Sequence, residues 1–142
     1  MNENDAIAVI AGVFMIVIVL AMIIAVIFFL LSLQKNLNAI SESNRTMNPP
    51  MVWLNLIPLF NWGWMIYTAI KISESLEKEM TARNISFDAK PAYVLGLTFS
   101  IMNATGILWS WIPILGLLIA IGLLVVWIMY WVQISKFTKQ LA

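Results

Sequence analysis

The stretch Met51-Val-Trp-Leu-Asn-Leu-Ile-Pro-Leu-Phe-Asn-Trp-Gly-Trp-Met-Ile-Tyr-Thr-Ala-Ile70 decides the fold. It is apolar enough to enter a bilayer, yet its residues resist a smooth crossing helix. Pro58 removes a helical donor and its ring clashes with the preceding turn. Asn55 and Asn61 are costly against lipid, and Gly63 is a poor helix-interior residue. A break is therefore expected near Pro58 to Asn61, with Asn61 capping a new helix through its side-chain oxygen. Irregular backbone at membrane depth is tolerated only where protein or a water-filled cavity satisfies it, so the break must lie against other helices.

Outward from this stretch, the chain reads as membrane-spanning helix. Hydrophobic residues make up 62% of the chain and charged residues 11%, and a hydrocarbon core of roughly 30 Å calls for runs of about 20 apolar residues. Ala6 to Leu33 carries no charge and predicts a first span over 6–33, which would be about 42 Å long at 1.5 Å per residue. It lacks the basic start, short apolar region and cleavage site of a signal peptide, and is read as an anchor. Two further spans are expected at 93–111 and 114–132, hinged at Pro113. Between the first and second spans lie a half helix over 51–60 and an amphipathic helix over 62–83. On the latter, Ile66, Ala69, Ser73, Leu76 and Met80 share one face, and Glu74 and Lys78 can pair on the other.

Two topologies compete. If 51–70 crosses fully, there are four spans with both termini inside. Lys71, Lys78, Arg83, Lys90, Lys136 and Lys139 are then inside, and Lys35 and Arg45 outside. If the stretch enters and returns to the same face, there are three spans, the N-terminus is outside, and all 8 basic residues are inside. The positive-inside bias favours the second. The expected fold class is an all-α integral membrane bundle of three transmembrane helices plus a re-entrant or broken helical hairpin, forming a single domain over 1–142.

Other residues carry supporting readings. Trp109 and Trp111 are expected to anchor one membrane interface, and Trp127, Tyr130 and Trp131 the other, because indole and phenol rings favour the headgroup layer. Gly96, Ser100 and Ala104, then Gly116 and Ala120, recur every four residues and predict close helix packing, as do Ala8 with Gly12 and Ala21 with Ala25. Lys136 and Lys139 would snorkel toward anionic headgroups.

The element Asn48-Pro-Pro-Met-Val-Trp-Leu-Asn-Leu-Ile-Pro-Leu-Phe-Asn-Trp-Gly-Trp64, followed by a helix carrying Lys71 and Glu74, resembles a group of small bacterial membrane proteins of unknown function. In that group a proline and tryptophan precede an Ile-Pro-x-x-Asn element and a charged amphipathic helix. The chain is also similar to hypothetical proteins of Bacteroidota. The resemblance covers Asn44 to Lys78 and implies a bacterial inner-membrane location and a constructed role for the break. It implies no activity.

Composition narrows the function classes. The chain has no Cys and no His, which removes thiolate and imidazole ligands and the usual neutral-pH base. No metal site and no cofactor are expected. The net charge of +1 offers no field for nucleic acid. The carboxylates Glu3, Asp5, Glu42, Glu74, Glu77, Glu79 and Asp88 all fall outside the three spans, with Glu74, Glu77 and Glu79 read as a solvated helix face. No catalytic residues are assigned and an enzyme is not expected. The leading expectation is an accessory, scaffolding or partner-binding subunit in contact with lipid and with a membrane-protein partner or further copies of itself. The alternative is a homo-oligomeric channel or transporter with a polar site at Asn55, Pro58, Asn61 and Gly63, faced by Asn103.

Overall fold

The computed structural model describes residues 2–87, 89–109 and 111–142. Asp88 and Ser110, the latter inside the expected 93–111 span, lie outside the described residues. The described chain is helical, with no strand: α1 (Glu3–Ala39), two 3-10 helices (Glu42–Asn44 and Pro49–Leu56), α2 (Phe60–Ala82), α3 (Tyr93–Trp109) and α4 (Pro113–Leu141). Two of these, α1 and α4, are long and apolar enough to cross a membrane, with mean hydropathies of 3.5 and 2.5 in their most apolar windows.

Several boundaries differ from the sequence reading. The first helix runs to Ala39, six residues beyond the expected 33. The last runs to Leu141, nine beyond 132. Charged and polar residues end a hydrophobic run but do not end a helix, because Gln and Lys are good helix formers. The half helix over 51–60 is a 3-10 helix that stops at Leu56. Pro113 opens α4 at its first turn, where its missing N–H costs nothing.

The chain divides into two units, Met1–Leu31 and Ser32–Ala142. In the first unit, large apolar side chains are exposed all around the helix, including the consecutive Val13, Phe14, Met15 and Ile16. The second unit holds a core of Leu33, Leu37, Val52, Met65, Ile72, Leu76, Tyr130 and Ile134, all nearly or fully buried.

Hydrogen bonds fix the helix directions within the second unit. The Trp131 indole donates to Ser32 Oγ (2.8 Å), and Asn36 Nδ2 donates to Thr138 Oγ1 (2.9 Å), so the end of α1 and the end of α4 run parallel. At the same end, Arg83 donates to the carbonyls of Ala39 (3.4 Å) and Leu141 (2.6 Å), which aligns the end of α2 with both. α3 runs the other way and packs on α2 and α4. A Cβ built on Gly96 would lie 2.9 Å from Tyr130 Cε2 and Cζ, so glycine is what allows the ring to seat against α3. Ser100 Oγ lies 2.6 Å from Gly96 O and 3.1 Å from Met65 O, sharing its one proton between its own helix and α2.

α2 ends in an αL cap. Asn84 takes φ 57, and Ile85 N–H reaches back to Met80 O at 2.8 Å, the six-to-one bond of a Schellman motif with Asn in the usual glycine place.

Candidate functional site

The break is built by Ile57 to Phe60. Leu59 sits at φ 65, ψ −45, and Phe60 N–H donates to Pro58 O at 2.7 Å, which closes a three-residue γ-turn. An L side chain with this backbone is strained. The cap expected of Asn61 is not formed: Leu59 occupies the N-cap position with no side-chain cap bond, and Asn61 lies inside the helix. Placing the cap two residues earlier satisfies the first amides through Pro58 O and Ile57 O instead. Around the turn, Leu56, Ile57, Leu59, Phe60 and Trp62 are exposed.

Side chains lock the two arms of this hairpin. Asn55 is buried and donates to Val52 O (2.9 Å) and to Thr68 Oγ1 on α2 (3.2 Å). Trp64 Nε1 donates to Met51 O (2.9 Å), and Trp53 Nε1 donates to Gln34 Oε1 on α1 (2.8 Å). Gly63 is exposed, with nothing within 4 Å of where a Cβ would be. Asn103 is half-buried on α3, and among the described residues no hydrogen bond joins it to Asn55, Asn61 or Gly63. Asn55 is thus a structural strut of the hairpin.

These bonds also set depth. Trp53 is level with Gln34, five residues before the end of α1. Met65 is level with Ser100, seven residues into α3. At 1.5 Å per residue, α2 therefore begins about 18 Å along α3 from Tyr93.

The second cluster sits at the opposite end of α2 and was missed by the sequence reading. Glu79 is 1% exposed, not part of a solvated face. Its carboxylate accepts from Ser41 N–H (3.1 Å), Ser41 Oγ (2.9 Å), Asn44 Nδ2 (2.6 Å) and Arg83 Nε (2.8 Å). Burial pushes its pKa up, but the bonds from Asn44, Ser41 and Arg83 outweigh this and hold it down at about 2. The signal was present: Glu79 follows Ile72 by seven and Leu76 by three, which puts it on the buried stripe. The pairing on the exposed side is also different, since Glu74 bonds Lys71 at 2.7 Å and not Lys78, and this bond holds the Lys71 ammonium above its ordinary value. Thr46 completes the clamp of the connecting segment onto α2, with its N–H on Ser75 Oγ (2.9 Å) and its Oγ1 on Lys71 O (2.9 Å).

The aromatic girdle is redistributed. Trp111 is 85% exposed and Trp109 39% exposed. Trp127 and Tyr130 are core residues, not interface anchors: Tyr130 is fully buried, and both stack on Phe99. Trp131 is half-buried against α1. Both residues expected at the far end of α4 sit inside because α4 continues well past them. Among the small residues, Gly96 and Ser100 lie at helix contacts, Ala104 and Gly116 are half-buried, and Ala120 faces outward. The inward face at this level carries Gly122 instead, with Met102 Cε 3.5 Å from its Cβ position.

Among the described residues no group of three His, Cys, Asp or Glu could hold a metal ion. No protein-family model, no curated protein and no solved structure matches the chain.

Proposed function

We propose that this is a small polytopic inner-membrane protein with three crossings, N-terminus outside and C-terminus in the cytoplasm. In this reading residues 49–82 form a re-entrant hairpin, and the protein serves as an accessory or scaffolding subunit that binds another membrane protein without catalytic chemistry of its own. One observation carries the topology: the end of α1, α2 and α4 run in the same direction. α1 and α2 can be parallel only if the segment between them reverses, and α2 then starts about 18 Å from the α3 start. That is about 6 Å short of the level at which α3 itself ends, at Trp109. The exposed apolar turn from Leu56 to Trp62 would rest in lipid, while the Glu79 and Arg83 cluster stays at the cytoplasmic surface. The apolar periphery of α1 over residues 6–31 fits lipid or a partner helix. A channel site at the break is less favoured, because the Asn55 Nδ2 group already donates to Val52 O and Thr68 Oγ1 within the hairpin.

The absence of native cysteine makes the test direct. Single cysteines replace Ser43, Asn84 and Trp111 in separate variants, and intact cells are treated with a membrane-impermeant thiol reagent. Labelling at position 111 alone is the expected result. Labelling at both 43 and 111 means four crossings and overturns the topology. For the partner, a photo-crosslinking residue at exposed Leu117 or Ile121 on α4 should yield a product with a different membrane protein. Products containing only this chain or lipid would refute the accessory role.

A further inference from the structure

α4 leaves the apolar layer with a cleft along its side, lined by Ile128, Trp131, Val132, Ser135, Lys136 and Lys139, with a volume of about 450 Å³. Its two ends differ chemically. Ile128, Val132 and the Trp131 ring make the lower part apolar, and the indole is pinned by its bond to Ser32 Oγ. One to two turns further on, a hydroxyl and two ammonium groups make the upper part a cationic mouth. Lys35 stands one turn beyond Ser32 on the flank of α1 that carries the Trp131 bond, since residues three apart are neighbours on a helix.

No carboxylate lines this cleft. On α2, Glu79 is engaged by Arg83, Ser41 and Asn44, and Glu74 by Lys71. Among the described residues, Lys35, Lys136 and Lys139 belong to none of the three ion pairs. The cleft on the other side of α4 shares Lys136 but offers Gln133 and Gln140 where this one has Lys139 and Ser135. An apolar floor under an unneutralised pair of ammonium groups complements a molecule with an acyl chain and a negative headgroup.

We propose that this cleft seats one anionic phospholipid, its acyl chain along Ile128, Val132 and Trp131 and its phosphate between Lys136 and Lys139. The inference rests on the membrane reading above. Each lysine at an anionic surface contributes roughly fivefold to binding, so removing both should lower the preference for anionic lipid about 30-fold. The intact protein is incorporated into nanodiscs of equal parts phosphatidylglycerol and phosphatidylcholine, released, and the retained lipid identified by native mass spectrometry. Wild type should retain phosphatidylglycerol in excess. The K136Q/K139Q variant should lose that excess, and K78Q/K90Q, whose lysines lie elsewhere, should keep it. Equal retention of the two lipids by wild type, or equal loss in both double variants, overturns the site. A chain that incorporates without lipid preference sinks this inference alone, whereas one that stays in the aqueous fraction sinks the membrane reading with it.

Discussion

Replacing Glu79 by Gln keeps the shape of the side chain and removes its charge. All its partners are donors: Ser41 N–H and Asn44 Nδ2 on one oxygen, Ser41 Oγ and the Arg83 guanidinium on the other. A glutamine must turn its own donor toward one of these pairs, so at least one side of the cluster loses its bonds. Breaking a buried ion pair from one side costs about 3 to 5 kcal/mol. Arg83 is 38% exposed and recovers some hydration, which moves the cost below that range. The depression of the Glu79 pKa from 4.5 to about 2, at about 1.4 kcal/mol per unit, gives about 3 kcal/mol. The expected loss at pH 7 is about 2 to 3 kcal/mol. Because the folded pKa lies below the unfolded one, this contribution is complete above about pH 4.5 and fades as pH falls toward 2. The assay is equilibrium unfolding in mixed micelles at increasing dodecyl sulfate fraction, run on both proteins at pH 7 and pH 3. The gap between them should narrow by more than half at pH 3. A gap under about 0.5 kcal/mol at pH 7, or one that is unchanged by pH, would refute the assignment of the cluster as the tie between the ends of α1, α2 and α4.

Further outcomes follow from single contacts. Gly96→Ala should destabilise by about 1 to 3 kcal/mol through overpacking against Tyr130, and pairing it with Tyr130→Leu should recover part of that loss, whereas an unrescued loss would place the strain elsewhere. Gly63→Ala, with open space around its Cβ, should stabilise α2 by about 0.5 to 1 kcal/mol; a destabilisation would mean that the hairpin face is covered. Leu59→Gly should gain about 1 kcal/mol by relieving the left-handed turn, and a loss in the same unfolding assay would show that the exposed leucine matters more than its backbone.

Much of the architecture is legible in the residues themselves. The apolar runs mark α1, α3 and α4 but not the ends of α1 and α4, because Gln and Lys carry these helices on past the charge-free stretches. Pro58 gives the break, because inside a helix it removes a backbone donor and its ring clashes with the preceding turn, at a cost of about 3 kcal/mol. The stripe Ala69, Ser73, Leu76 and Met80 marks the buried face of α2, because that face follows the 3.6-residue period. Other features depend on partners that are distant in sequence. Whether Glu79 is solvated or buried is decided by Ser41 and Asn44, more than thirty residues away. Trp127 and Tyr130 look like interfacial anchors until Phe99 and Gly96 are seen against them. The parallel run of the end of α1 with α2 and α4 is likewise absent from any local pattern, since local patterns give a helix its length and its faces but not its direction. What fixes direction here is a handful of hydrogen bonds between chain ends, from Arg83 to Ala39 and Leu141 and from Trp131 to Ser32. Their formation is a property of the packed bundle, since the bonded residues stand 44 to 99 positions apart in the chain.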